Sequence, residues 1–408
     1  MNTGFVSVIV AGLTPFIVLT LLFLGIGYHA IAWQPPAIWT AQFGPGVVTA
    51  VAADSSGVYA GGFGGDAGFH LFLSRYNLEG GRVWNQDFGN FPNEITGISL
   101  GTDGVYVAGF MDRGFVRKYD FNGSLHWTAN DSRVDNYASI SANSGRVFVG
   151  YDFNSALIRA YDTNGNSLWT TSISNSSSPP LPQITSDSNH VYAVGYGAVS
   201  GYLRSYNFDG TLNWAENLTC SCAPYDVAVD SSGIYIVGTF QSTGLSGTLA
   251  KYDLVGDQVW VKNFDSPDAT TIGTPRISVD SSGIYLAGTT SFSGYLIRYD
   301  SNGNHVWTVE IPLSVNSASA GQDGVYVGGA ASNNAVLSKY GQSSSLVLFG
   351  VNPPFSFGLV ALLGAVVVLS LLWLRRQRKR VLRRPKSAMP YSAPKPSEDD
   401  SKWMKRPP

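Results

Sequence analysis

From about residue 37 to residue 342 the chain is built from short runs of alternating apolar and polar positions. Val227-Ala228-Val229 is one such run, and no apolar period of 3.6 residues accompanies it. The alternation predicts strands, because side chains on a strand point to opposite faces with a period of two. The runs recur. Trp39, Trp84, Trp127, Trp169, Trp214, Trp260 and Trp307 follow one another at 45, 43, 42, 45, 46 and 47 residues. Eight residues before six of them stand Tyr76, Tyr119, Tyr161, Tyr206, Tyr252 and Tyr299. Four residues before the same six stand Gly80, Gly123, Gly165, Gly210, Gly256 and Gly303. Tyr-Asp/Asn-x-x-Gly-x-x-x-Trp therefore reads as a β-hairpin with a fixed turn. Upstream lies a further strand, marked by Val58-Tyr59, Val105-Tyr106, Val147-Phe148, Val191-Tyr192, Ile234-Tyr235, Ile284-Tyr285 and Val325-Tyr326. Turns of the Asp-Ser-Ser-Gly kind precede it, as at Asp54, Asp230 and Asp280.

Each unit is then four short strands in about 45 residues, the length of a propeller blade. The chain ends support a ring. Trp39 has Ile31 where a Tyr would stand, and Tyr340 has Leu348 where a Trp would stand. The first unit supplies only a Trp strand, and the last lacks only that strand. If the two combine, no sheet edge is left open to aggregation. The predicted fold is all-β, a seven-bladed β-propeller of four-stranded blades over 37–342, flanked by transmembrane helices. The count becomes six or eight if one unit is divided differently. The Trp and Tyr rows, Tyr340 included, are expected to pack between neighbouring blades. Burying one Trp removes roughly 200 Å² from water.

The flanks differ. Residues 1–33 carry an apolar run from Phe5 to Tyr28 without a charged side chain, long enough to cross a bilayer. This segment is either an N-terminal transmembrane anchor or a signal peptide. Ala30-Ile31-Ala32 fits a cleavage site, whereas the run is longer than the usual signal core. Residues 343–354 form a linker, and 355–374 a second apolar span beginning after Pro353-Pro354. The span is followed at once by Arg375-Arg376-Gln377-Arg378-Lys379-Arg380. Basic residues favour the cytoplasmic side. The expected location is the cell membrane, with the propeller extracellular and the Pro-rich tail 375–408 cytoplasmic.

Charge sharpens this layout. The whole chain has a net charge of −2. Residues 375–408 hold 12 of the 26 Lys and Arg and 3 of the 28 Asp and Glu, so the tail is +9 and the remainder −11. Charged residues make up 13% of the chain, about half the average share, and aromatics another 13%. Disorder and coiled coil are excluded for the repeat region. An acidic folded part also argues against nucleic acid as a partner.

Asp230-Ser231-Ser232-Gly233-Ile234-Tyr235-Ile236-Val237-Gly238 recurs nearly verbatim from Asp280 to Gly288. It resembles the SBBP-type β-propeller repeats of prokaryotic, including archaeal, surface proteins. The hairpin Tyr161-Asp162-Thr163-Asn164-Gly165-Asn166-Ser167-Leu168-Trp169 is similar to the Trp motif of PQQ-like repeats, with a turn one residue shorter and without Thr-Gly-Lys. The resemblance covers about 300 residues and implies a propeller, not an enzyme. Quinoproteins of this architecture carry adjacent cysteines and a clustered metal site. Here Ser221 separates Cys220 from Cys222, and no such cluster can be assigned.

Loop lengths point to a functional face. In a four-stranded blade, the first-to-second and third-to-fourth turns open on one face, and the other two connections open on the opposite face. The latter vary: Trp to the next second-strand aromatic spans 19 to 25 residues, and that aromatic to the third-strand Tyr spans 13 to 17. Variable loops on a rigid scaffold are where binding sites form. Candidate binding residues on this face are Asp66, Asp112, Arg113, Asp131, Arg133, Asp135, Asp152, Asp265 and Asp268. Cys220 and Cys222 are either a strained local disulfide, two thiols or a soft-metal site. Asn122, Asn130, Asn175 and Asn217 begin N-x-Ser/Thr sequons and are glycosylation candidates. His29, His70, His126, His190 and His305 form no metal or catalytic motif. No catalytic residue, cofactor or metal is assigned. The reading is a membrane-anchored, non-catalytic binding or adhesion module. Its partners are membrane lipid, through the spans, and an extracellular protein, glycan or envelope component. A quinoprotein-like oxidoreductase and a structural envelope protein are the alternatives.

Overall fold

The computed structural model describes residues 35–341 except 65–69, 91–93, 112, 132–135, 144, 153–154, 174–181, 198–199, 219–221, 241–245 and 268–271. The chain divides into two compact units, Met1–Ser345 and Leu346–Pro408, and all described residues belong to the first. Among them there are strands and no helix. No helix of the described residues is long and apolar enough to cross a membrane. The expected segments 1–33, 343–354, 355–374 and 375–408 lie outside the described residues.

Strands β1 (Ala37–Asp54), β2 (Gly57–Gly64), β3 (His70–Tyr76) and β4 (Arg82–Asn90) come first. Next are β5 (Glu94–Gly101), β6 (Gly104–Met111), β7 (Arg113–Tyr119) and β8 (Leu125–Asp131). Then follow β9 (Asn136–Asn143), β10 (Arg146–Asp152), β11 (Ala156–Asp162) and β12 (Ser167–Ser172). The fourth group is β13 (Gln183–Ser186), β14 (His190–Tyr196), β15 (Gly201–Asn207) and β16 (Leu212–Asn217). The fifth is β17 (Cys222–Asp230), β18 (Gly233–Phe240), β19 (Ser246–Tyr252) and β20 (Gln258–Asp265). The sixth is β21 (Arg276–Asp280), β22 (Gly283–Thr289), β23 (Gly294–Tyr299) and β24 (His305–Ile311). β25 (Ser314–Gly321), β26 (Gly324–Ala331) and β27 (Asn334–Tyr340) close the series.

Five groups, β5–β8, β9–β12, β13–β16, β17–β20 and β21–β24, are separate four-stranded antiparallel sheets. The expectation of seven separate sheets differs from this arrangement. The remaining seven strands form one sheet in the order β25-β26-β27-β1-β2-β3-β4. They are fused because β1 runs unbroken for 18 residues. Its first half, Ala37 to Pro45, pairs with β27, and its second half, Gly46 to Asp54, pairs with β2. The strand carrying Trp39 thus joins the last strand of the repeat region, as the chain ends suggested.

First strands pack in a cycle: β1 on β5, β5 on β9, β9 on β13, β13 on β17, β17 on β21, β21 on β25 and β25 on β1. This is an all-β propeller, with the first strands around its axis. Their inner edges have no further strand to pair with, and neighbours' hydroxyls supply hydrogen bonds instead. The N–H of Ala142 donates to Ser99 Oγ at 2.9 Å, that of Ile184 to Ser139 Oγ at 3.0 Å and that of Ala320 to Ser278 Oγ at 2.8 Å. Val51 and Ala53 donate likewise to Ser317 and Ser319, both at 3.0 Å. Apolar side chains fill the spaces between sheets. One such cluster joins Val237, Leu249 and Phe264 to Ile284, Leu286 and Tyr295.

Candidate functional site

The face of short turns is a repeated structural joint. In the third-to-fourth turns an aspartate caps backbone N–H groups, as an Asx turn does. Asp162 Oδ1 accepts from the N–H of Asn164 and of Asn166, at 2.9 and 2.8 Å. The turn glycines are required twice over. Gly165 has φ +86°, and an added Cβ would stand 2.8 Å from the Trp127 ring. Five Trp side chains bond the next turn. The indole N–H of Trp84 donates to Phe121 O (3.0 Å), that of Trp127 to Thr163 O (2.9 Å) and that of Trp169 to Phe208 O (2.8 Å). Trp39 and Trp214 do the same to Leu78 O and Leu254 O. The Trp and Tyr side chains of these rows join the apolar clusters between sheets.

A cation reinforces the same carbonyls. Arg75 donates to Phe121 O at 2.8 Å, Lys118 to Thr163 O at 3.2 Å and Lys339 to Leu78 O at 3.1 Å. These cations also lie over Tyr59, Tyr106 and Tyr326, 5.4 to 5.7 Å from the ring centroids. Asp103 accepts from Lys118 (2.6 Å) and from the Tyr106 hydroxyl (2.8 Å). Asp323 accepts from Lys339 and Tyr326, both at 2.6 Å. Burial pushes the Asp103 carboxyl up, but the bonds from Lys118 and Tyr106 outweigh it and hold it below its usual range. Asp323 behaves in the same way. Charged and aromatic groups of this face are therefore engaged with one another.

The opposite face has no such repetition. On this side stand Glu94, exposed at the start of β5, Asp226, in β17, and Arg276, at the start of β21. Asp226 Oδ1 accepts from its neighbour Val227 N–H at 2.9 Å, and Oδ2 from Ile277 N–H in the next sheet at 3.0 Å. Arg276 Nε donates to Asn316 O at 3.1 Å. Burial raises the carboxyl of Asp226 above its ordinary value despite Arg276 and those N–H groups. Burial raises Glu94 too, and Arg276 offsets this in part. Sequence reading missed all three residues because each occurs once, with no repeat to mark it.

The named candidates are placed as follows. Asp66, Asp112, Arg133, Asp135, Asp268, Asn175 and Cys220 lie outside the described residues, as does the side chain of Cys222. The expected cysteine pairing therefore falls outside them too. Arg113 and Asp265 are exposed at the ends of β7 and β20, and Asp265 accepts from the Ser246 hydroxyl at 2.8 Å. Asp131 is buried and pairs with Arg159 of the next sheet, which also bonds the Tyr151 hydroxyl at 3.0 Å. Asp152 is half-buried at the end of β10, with its carboxyl raised by burial. Asn122, Asn130 and Asn217 are exposed. Among the described residues, no group of three His, Cys, Asp or Glu side chains is placed to hold a metal ion.

Against this geometry, the sequence model of the family described as outer membrane protein assembly factor BamB (PQQ_2) matches residues 154–328. No curated protein matches the chain. Among solved structures, BamB from Moraxella catarrhalis is 10% identical, with 77% of this chain and 99% of that chain covered and a TM-score of 0.50. A chain of the mitotic checkpoint complex is 13% identical, with 76% of this chain and 96% of that chain covered and a TM-score of 0.56. At such identities the likeness is one of fold. The match supports a PQQ-like propeller.

Proposed function

We propose that the chain is a non-catalytic protein-binding module, whose working face is the one carrying the variable connections. The observation that carries this is the contrast between faces. The turn face uses charges such as Lys118 and Lys339 to join sheets, whereas the opposite face keeps Arg113, Asp265 and Glu94 exposed. A family match named for an assembly factor, and a fold likeness to a chain of a multiprotein complex, support the same reading. On this reading the seven-stranded sheet is two blades sharing β1, which makes seven blades in all. Trp39 and Lys339 bond Leu78 O as Trp127 and Lys118 bond Thr163 O between separate sheets. We further propose that the apolar runs 5–28 and 355–374 hold the propeller at a membrane, with the basic run after 374 on the cytoplasmic side.

The test is affinity purification of the full chain from the cells that make it. Arg113→Glu combined with Asp265→Lys should lose the bound protein, and Glu79→Lys, on the turn face, should keep it. Equal retention by both variants contradicts the choice of face.

A further inference from the structure

Among the described residues nine large apolar side chains are exposed, and eight of them lie on fourth strands, the first half of β1 included, or on the turns leading into them. Only Phe292 stands on the variable side. The eight follow a rule. On every fourth strand the pairing with the third strand skips the residue just before the Trp. A residue skipped in this way is left outside the ladder. Ile38, Val83, Leu168 and Val259 hold that position and are 43 to 58% exposed. Where the skipped residue is His126 or Asn213, an aliphatic stands one place earlier, as Leu125 or Leu212, and is exposed to the same degree. At the seventh place Val306 is half-buried. The skip alone already guards an open edge against pairing, so the aliphatic side chains are not needed for that. Single exposed apolar residues need no explanation, but one per blade at one level of a ring makes a belt.

The chain enters and leaves the ring at the level of this belt. Ala37, at the start of β1, pairs with Tyr340, at the end of β27, and Trp39 and Lys339 beside them bond Leu78 O in a third-to-fourth turn. Both points therefore lie on the turn face. Residues 29–36 separate Ala37 from the apolar run 5–28, and residues 341–354 separate Tyr340 from the run 355–374. At about 3.5 Å per residue these eight and 14 residues reach at most about 28 and 49 Å. Such tethers bring the turn face, rather than the variable face, to a surface that both runs enter. A belt around a whole rim suits an extended surface better than one partner protein, which covers a single patch. A second ring set face to face would bring turn carboxylates such as Asp120, Asp162 and Asp300 against their own copies. A zwitterionic bilayer offers ammonium groups to those carboxylates and hydrocarbon just beneath for the aliphatic side chains. We propose that the turn-face rim rests on a lipid surface through this belt, with the variable face turned away from the membrane. This inference rests on the membrane reading above.

The test uses the full chain, with Cys220→Ser and Cys222→Ser, reconstituted in phosphatidylcholine vesicles that contain a nitroxide-headgroup lipid. A fluorescent label is placed through Leu125→Cys, Leu168→Cys or Phe292→Cys, one at a time. Labels at 125 and 168 should be quenched at least about twofold more than the label at 292, because only the belt enters the headgroup layer. Val83→Asn, Leu212→Asn and Val259→Asn together should reduce the quenching at 125. Unchanged quenching there would mean that the tethers alone hold the ring close, and would overturn the belt's role. Added phosphatidylglycerol should weaken the quenching, since its charge repels the turn carboxylates. Stronger quenching at 292 than at 125 and 168 overturns the proposed orientation. Self-quenching at 125 that rises with chain density and ignores the lipid quencher would assign the belt to a second copy, and overturns the proposal too. Release of the full chain from the vesicles by alkaline extraction would instead refute the membrane reading itself. A chain that stays in the vesicles with its belt labels unquenched refutes only this inference.

Discussion

The two faces of the ring hold their carboxylates in opposite ways. On the turn face Asp120 and Asp300 are held below the usual range, chiefly by backbone N–H groups of their own turns. Asp162 and Asp209 are held down chiefly by the Asn166 and Thr211 side chains. Asp103 and Asp323 are held down by Lys and Tyr bonds that overcome burial. On the other face Glu94, Asp152 and Asp226 are all raised by burial. Asp87 is the exception, lowered by the N–H of Gly89 and then by His70. Charges that stabilise the fold sit on one side, and charges the fold keeps against their own solvation sit on the other. Groups of this kind are candidates for a functional surface.

The largest expected effect tests a charge that crosses this division. Asp131 lies at the variable end yet is buried against Arg159. Arg159→Ala should cost about 3 kcal/mol or more in urea unfolding, because it removes the cation paired with a buried carboxylate. A cost near zero would move Asp131 back among the free surface charges. Next comes the turn glycine. Gly165→Ala should cost about 2–3 kcal/mol, from positive φ together with the Trp127 ring. Gly145→Ala, at φ +94° with nothing within 4 Å of its Cβ, should cost about 1 kcal/mol. Equal costs would show that the Trp contact contributes nothing.

A smaller difference concerns the seam. Trp307 is buried, but its indole N–H has no partner among the described residues. The turn that would receive it is interrupted, because β27 and β1 come from opposite ends of the repeat region. Trp127→Phe should therefore destabilise by about 1 kcal/mol more than Trp307→Phe, the worth of one hydrogen bond. Thermal melts of the pair decide this.

The pH dependence separates the faces by sign. Asp103 and Asp323 have folded pKa values below the ordinary 3.8. Their stabilisation is complete above that value and is lost as pH falls through the folded one. Glu94 has a folded pKa above the ordinary 4.5, so its penalty is full at neutral pH and disappears as pH falls through the folded value. Asp103→Asn should flatten the acid loss of stability, and Glu94→Gln should stabilise at pH 7 and not at pH 3. Both effects are modest, because solvent screens these partly exposed groups. The smallest change expected is Val255→Ser, on an exposed turn, at under about 0.5 kcal/mol.

The hairpins, the turn glycines and the packing role of Trp84 or Trp127 were legible in the sequence because they repeat, and a repeat averages out local ambiguity. The joining of Trp39 to the last strand was legible from what each end lacked. The fusion through β1 was not, since nothing in Phe43-Gly44-Pro45-Gly46 says that pairing passes from one neighbour to another without a break. The serines between first strands carried a signal that went unread: Ser99, Ser278 and Ser319 each stand five residues before the start of a second strand. Arg276 and Glu94 offered none.

Photo-crosslinking in the cells that make the protein tests the assignment of the working face most directly. A benzophenone residue would replace Arg113, Asp265 or Val255 in the full chain, one at a time. The account expects the same cross-linked partner from positions 113 and 265 and none from 255. A partner captured from 255 alone would place the working surface on the turn face and contradict it.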